Sequence, residues 1–493
     1  MAREKWGSRI GMILAMSGSA IGLGNFVRFP SLIAKAGGSF MIPYFIALFL
    51  LGLPVLWTEW IIGRYGGMRG HGSLPMIFSE VAGKKWAKYL GSLGLLVALI
   101  ITSYYIYVVS WGLGYSVFSA SGSYFGKDTI AFLNDYTGGN RNMFLLSYLF
   151  YVVVLLFAFL VLTRGISGGI ERMAKVAMPL LIIFAIILTV RVLTLGPRAW
   201  EGLTYIWRPN WDLLKDWNVW LMAAGQIFFT LSLGDGEIPV YASYIGKDED
   251  IAEGPILVTL LNEIDEVIFG GCIAIPAIFF FFGSITTEMT EGYNLAFIAM
   301  PKVVEIMPGG RAFGVMWFLL LFLAGFTTII SMLQTFISFL EDEFKASKLK
   351  SVAVTLFIVL LFSNLPILFY HQGVFDDMDF WAGSLLLVVV SLLEVIVLAW
   401  YFGMKRSMEE LNRGGRIRIP YGIFYIIKYI TPAFLIFLLV GWIGTSASQY
   451  FEMSTGIVWA GRMAMIALFI LIEFLVYSAD RRDAESIRTV KIQ

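Results

Sequence analysis

Two short stretches of this 493-residue chain set glycines beside polar side chains inside otherwise apolar runs. One is Ser17-Gly18-Ser19-Ala20-Ile21-Gly22-Leu23-Gly24-Asn25; the other is Thr230-Leu231-Ser232-Leu233-Gly234-Asp235-Gly236. Gly costs a helix about 1 kcal/mol relative to Ala. A helix broken in hydrocarbon leaves peptide groups unpaired at several kcal/mol more. Such a break persists only where the freed N–H and C=O groups find ligands or line a cavity. Freed amides suit an anion, and freed carbonyls beside Asn and Thr oxygens suit a small hard cation. A single Gly pair in a membrane helix usually serves close packing instead. Two breaks five helices apart fit an inverted repeat with a binding site at its interface. Ionised side chains inside apolar runs add candidates, because each costs at least about 2.5–3.5 kcal/mol at mid-bilayer.

The elements that must position these residues are membrane helices. The chain is 58% hydrophobic and 14% charged, with a mean hydropathy of +0.78, far from a soluble domain. A net charge of +1 argues against nucleic acid. One cysteine, Cys272, excludes an internal disulfide framework and any multi-cysteine metal site. His71 and His371 sit in polar connections, which leaves no paired haem ligation or His-based zinc site. The N-terminal apolar run continues past Gly22 to Phe29-Pro30 and beyond, so it reads as a retained first span rather than a signal peptide. Hydropathy and breakers predict twelve helices, near 8–35, 39–63, 87–121, 143–163, 174–196, 217–245, 252–283, 312–344, 349–370, 380–403, 420–446 and 456–479. The stretches 196–217 and 283–311 are long enough for short helices at one face. Alternate loops concentrate Lys and Arg, from Arg3, Lys5 and Arg9 to Arg481, Arg482 and Arg488, which predicts cytoplasmic termini. The class is all-α and polytopic.

The stretches GSAIGLGNFVRFP (18–30), WTEWIIGRYGG (57–67), the Tyr104-Tyr105 pair, RGISGGIERMAKVAMP (164–179), GQIFFTLSLG (225–234), LNEIDEV (261–267), AGFTT (324–328) and DMDFWAG (377–383) resemble the neurotransmitter:sodium symporter family. The likeness spans all twelve helices and is strongest to the prokaryotic, leucine-transporter-like amino-acid branch. It implies a five-plus-five inverted repeat with discontinuous helices 1 and 6, divided as 1–196, 197–403 and an accessory part 404–493. It also implies alternating access, two sodium ions and an amino-acid substrate in a multi-pass cell-membrane protein. No organic cofactor or enzymatic activity is implied, and a homodimer is compatible with it.

Residue by residue, the resemblance assigns the first sodium to the Ala20 carbonyl, Asn25, Thr230 and Asn262, with the substrate carboxylate completing the shell. The second takes the carbonyls of Gly18, Ile21 and Ala324 and the hydroxyls of Thr327 and Thr328. The substrate carboxylate falls to the Leu23 and Gly24 amides and Tyr105. The amine falls to the Ala20 and Phe229 carbonyls, near Thr230 and Ser232. Gly22 leaves room for that carboxylate where the monoamine branch has an aspartate. Arg28 and Asp379 match an outer gate, and Arg3 and Asp342 an inner one, with Trp6, Ser243, Tyr244 and Gln334 around it. Glu59 would brace a broken segment, and Glu266 would stand in for a bound anion, implying chloride independence.

Asp235, Glu237 and Asp265 depart from the leucine-transporting pattern, being acidic where it is apolar. Asp235 falls on the pocket wall with Ser19, Ile101, Thr328 and Met332. It either pairs with a polar or cationic substrate group or caps the second half of helix 6. A channel would need a continuous polar pore, and a sensor usually carries a soluble output domain. The alternatives to amino-acid import are therefore transport of an osmolyte or other small zwitterion, and a non-transporting amino-acid sensor of the same fold.

Overall fold

The computed structural model describes residues 4–286, 289, 292–445 and 455–492; Arg3, expected at the inner gate, lies outside them. Among the described residues, ten helical stretches are long and apolar enough to cross a bilayer, the first of them, Gly24–Gly67, joining the second half of helix 1 to helix 2. The others are helix 3 (Ala87–Ser121), helix 4 (Arg141–Leu162), helix 5 (Ile166–Leu193), helix 7 (Glu253–Phe282), helix 8 (Gly310–Phe344), helix 9 (Lys348–Leu368), helix 10 (Val374–Leu411), helix 11 (Gly422–Gly444) and helix 12 (Gly456–Arg481). Among the described residues, helix 1 (Arg9–Ala20, then Gly24–Ala36) and helix 6 (Trp217–Thr230, then Glu237–Ala242) are the interrupted ones, which completes twelve. No strand occurs among the described residues. The stretches between helices 5 and 6 and between helices 7 and 8 carry the short helices Pro197–Trp207 and Met300–Ile306.

The layering follows from which helices bury all their faces. In helix 3, 94% of the most apolar window is buried, against 33% in helices 4, 11 and 12. Helix 3 is therefore a central post, and the other three turn apolar faces toward lipid, where such faces are at no disadvantage. The two interrupted helices lie in the interior, and Asn25, Thr230 and the apolar neighbours of both breaks are buried.

The breaks have local causes. At the end of the first half of helix 1, Ile21 turns extended, with φ −75° and ψ 99°. In helix 6, Ser232 (φ 51°), Gly234 (φ 81°) and Gly236 (φ 78°) are all left-handed, a run that an α-helix does not accommodate. Only glycine fits at 234, because a Cβ there would strike the Leu387 carbonyl and lie 2.5 Å from Ser391 Oγ.

The end of the molecule that carries the termini is tightly fastened. Gly7 N and Ser8 Oγ donate to the Glu171 carboxylate of helix 5 at 2.6 and 2.7 Å. Glu4 accepts from Ile166 N at 2.7 Å. In the turn before helix 7, Asp250 accepts from Ala252 N, Glu253 N and Arg416 N at 2.8, 3.0 and 2.7 Å.

Candidate functional site

The helix 1 break is held from three sides. Asn25 Oδ1 accepts from Gly22 N at 2.9 Å, folding the freed backbone onto its own side chain. The Tyr105 hydroxyl of helix 3 accepts from Leu23 N at 2.8 Å. Tyr105 therefore occupies the Leu23 amide that the sequence assigned to a substrate anion. Gly22 faces Tyr105 and, on the third side, Thr328: a Cβ on it would lie 2.8 Å from the Tyr105 hydroxyl and 3.0 Å from Thr328 Oγ1.

One face of this break joins helices 6 and 7 in a buried polar network. Asn25 Nδ2 donates to Asn262 Oδ1 at 2.8 Å and to Glu266 Oε2 at 3.3 Å. Thr230 donates to Glu266 Oε2 and to Asn262 Oδ1, the latter at 3.3 Å. Gln226 Nε2 donates to Glu266 Oε1 at 2.8 Å and to the Gly24 carbonyl at 3.3 Å. Asn25, Thr230 and Asn262 are thus brought together as the sequence expected, with Glu266 bonded to two of them. On the other face, Thr328 Oγ1 of helix 8 lies 3.5, 3.1 and 3.3 Å from the carbonyls of Gly18, Ser19 and Ala324. Thr327 Oγ1 donates to the Ala324 carbonyl at 2.8 Å. A Cβ on Gly18 would lie 3.1 Å from Thr327 Cβ, so helices 1 and 8 touch there.

The helix 6 break is surrounded by carboxylates. Glu59 Oε1 accepts from Gly234 N at 2.8 Å, so Glu59 braces helix 6. Asp235 Oδ1 accepts from Glu237 N at 3.1 Å, a cap at the start of the second half of helix 6. Glu237 accepts from Ser19 Oγ at 2.6 Å and from Ser331 Oγ. Ser232 Oγ donates to the Ser19 carbonyl at 2.9 Å, tying the two breaks together.

Two spaces open above and between these elements. The smaller pocket is lined by Ala20, Gly22, Gly24, Ile101, Tyr105, Phe228, Phe229, Ser232, Asp235, Thr328, Met332 and Leu387. Beyond Phe229, toward the face opposite the termini, lies a cavity of about 430 Å³ lined by Leu23, Gly24, Arg28, Lys35, Asp376 and Asp379 among others. Phe229 borders both. Arg28 lies over its ring, 4.7 Å from the centroid. Asp379 accepts from the Tyr104 hydroxyl at 2.7 Å. Among the described residues Arg28 and Asp379 share the cavity but form no ion pair with each other.

The opposite side of the pocket is closed. Trp6 Nε1 donates to the Tyr241 carbonyl at 3.1 Å, and its ring packs edge-on against Tyr241 and Tyr244. Gln334 Nε2 donates to the Tyr244 hydroxyl at 3.1 Å, which pairs with Ser338 at 2.8 Å. Asp342 accepts from Gly72 N at 2.6 Å. Three participants escaped the sequence reading: Gln226, Ser331 and Glu394. Glu394, on helix 10, is fully buried and neighbours Glu59. Its signal was a lone acid within an apolar run.

The sequence profile of the sodium:neurotransmitter symporter family matches residues 3–128 and 138–479. An uncharacterized sodium-dependent transporter of Methanocaldococcus jannaschii is 32% identical over 448 residues, covering 88% of this chain and 89% of its own. A sodium-dependent nutrient amino acid transporter 1 of Drosophila persimilis is 25% identical over 504 residues, covering 89% of this chain and 74% of its own. Among solved structures, the crystal structure of MhsT in complex with L-phenylalanine superposes with a TM-score of 0.77 at 28% identity, covering 89% of this chain and 99% of that one. With its twelve crossings interrupted at helices 1 and 6, this chain is a multi-pass membrane protein that belongs to the sodium:neurotransmitter symporter family of sodium-dependent transporters.

Proposed function

We propose that the chain imports an amino acid with sodium, by alternating access to the pocket beneath Phe229. The observation that carries this reading is the helix 1 break. It sets Ala20, Gly22 and Gly24 on the pocket wall, with the Leu23 amide on Tyr105 beside them, and it joins Asn25 to Thr230 and Asn262 on the adjoining face. Amides at a helix start favour a carboxylate; clustered neutral oxygens replace the hydration shell of a hard cation. The first sodium is read at Asn25, Thr230, Asn262 and the Ala20 carbonyl. The second is read at Thr327, Thr328 and the carbonyls of Gly18, Ile21 and Ala324. A carboxylate arriving at Leu23 shares that amide with Tyr105 or displaces it. The basic loops put the termini in the cytoplasm, so the 430 Å³ cavity faces outside and the Trp6 side faces in. The Drosophila relative, a sodium-dependent nutrient amino acid transporter, and MhsT, solved in complex with L-phenylalanine, support an amino acid as the substrate class.

Uptake into proteoliposomes tests the reading directly. Accumulation of at least one amino acid should require an inward sodium gradient, and sodium-independent uptake would overturn it. Chloride is a second lever. Glu266 already sets a carboxyl group among Asn25, Thr230 and Gln226, so replacing chloride with gluconate should leave uptake unchanged. Glu266→Ser should create a chloride requirement, and a wild type that stalls in gluconate would count against a fixed carboxylate in the anion's place.

A further inference from the structure

We infer that the pocket beneath Phe229 takes an amino acid with a positively charged side chain, an ammonium or guanidinium received by Asp235, with Glu237 behind it. This rests on the amino-acid reading above and names the substrate class of the same site. Asp235 is 2% exposed and lines the pocket wall. Its two oxygens do different things. Oδ1 caps the Glu237 amide at 3.1 Å, while Oδ2 receives no hydrogen bond from the described residues. The choice between cap and pocket group is thus divided between the two oxygens of one carboxylate.

Glu237, the next acid, is fully buried and held in place by hydroxyls on two helices, Ser19 and Ser331. The charged neighbours of Asp235 are Glu237 and Glu394, and Glu59 stands on the other side of Gly234. Among the described residues lining the pocket there is no Lys, Arg or His. Arg28 lies on the far side of the Phe229 ring, in the outer cavity. Buried acids without a counter-charge are unfavourable, and a cation removes that cost. The remaining wall suits the stem of such a side chain: Ile101, Phe228, Met332 and Leu387 are apolar, and lysine or arginine packs its methylenes on such a surface while the charged end finds an acid.

The test is sodium-dependent binding to the purified full-length protein, by calorimetry or thermal shift, with lysine, ornithine, arginine, glutamine, leucine, phenylalanine and cadaverine. In sodium, at least one basic amino acid should bind about tenfold or more tighter than leucine and phenylalanine. Asp235→Asn, nearly isosteric, should weaken the basic amino acids by about tenfold and glutamine by less than about threefold. Glu237→Gln should shift the same ranking in the same direction, which gives a second readout if one variant fails to fold. Leucine or phenylalanine binding as well as lysine would overturn the inference and leave the amino-acid reading standing. Cadaverine keeps the ammonium and lacks the carboxylate. If it binds as tightly as lysine, the amino-acid reading falls while the acidic wall stands. If no amino acid binds in sodium, both fall.

Discussion

The breaks in helices 1 and 6 solve one problem with opposite chemistry. In helix 1 the freed amides go to neutral oxygens, Asn25 Oδ1 and the Tyr105 hydroxyl. In helix 6 they go to carboxylates, Glu59 at Gly234 and Asp235 at Glu237. At the first break the nearest acid, Glu266, stands one hydrogen bond away, behind the Asn25 side chain. At the second the carboxyl groups meet the freed backbone directly. The difference is whether an acid touches the freed peptide or sits behind a neutral side chain.

The sharpest way to break this comparison is to remove the neutral partner. Asn25→Ala deletes the Gly22 acceptor and takes one donor each from Asn262 and Glu266, which keep Thr230 and, for Glu266, Gln226. Sodium-dependent substrate binding should weaken by about 100-fold, while the protein still elutes as a folded species. Binding that survives unchanged would mean the helix 1 break does not serve a cation. Gly22→Ala probes the same break sterically, since the new Cβ would sit 2.8 Å from the Tyr105 hydroxyl. Crowding of this size should cost about tenfold in substrate affinity, measured by the same binding assay, with sodium dependence retained.

On the acidic side, Glu59→Gln keeps the shape and exchanges the carboxyl acceptor at Gly234 for an amide oxygen. The expected loss is about 1 kcal/mol of stability, seen as a lower midpoint of thermal unfolding. An unaltered midpoint would show that a carboxyl group at the helix 6 break is dispensable. The smallest effect lies away from both breaks, at Asp250. Burial alone would raise its pKa, but the amides of Arg416, Glu253 and Ala252 and the nearby Arg9 outweigh it and hold the carboxyl below its ordinary value. A folded pKa below the unfolded one of about 3.9 gives stability that is complete above it. That stability fades as pH falls through the folded value. Asp250→Asn should therefore unfold at a slightly lower temperature than wild type at neutral pH, the gap closing below about pH 4.

How legible this was depended on the kind of signal. The span expected near 87–121 is Ala87–Ser121, because its apolar run ends at polar residues on both sides. The one expected near 380–403 extends over Val374–Leu411, because hydropathy finds the apolar middle of a helix and passes over ends rich in Asp, Lys and Arg. Helix 5 starts at Ile166 rather than near 174, since the glycines of ISGGIE read as a loop but wind into a wide helical turn. Asn25, Thr230 and Asn262 meet as expected, whereas Ser331 could not have been matched to Glu237, since nothing in a lone serine of helix 8 names its partner. Glu394 was visible as an acid among leucines and valines, but its place beside Glu59 depends on how two helices distant in sequence cross.

Phe229 gives the two sides of the pocket unequal latency. A single ring separates the pocket from the 430 Å³ cavity, with Arg28 resting on its face. Turning one side chain merges the two volumes, and rotamer changes of exposed side chains take picoseconds to nanoseconds. Leaving by the other side means parting Trp6 from Tyr241, and drawing Gly7 and Ser8 away from Glu171, several bonds that must yield together. Collective motions of packed helices take microseconds to milliseconds. In this conformation the pocket can therefore exchange with the 430 Å³ cavity many times before the Trp6 side opens once.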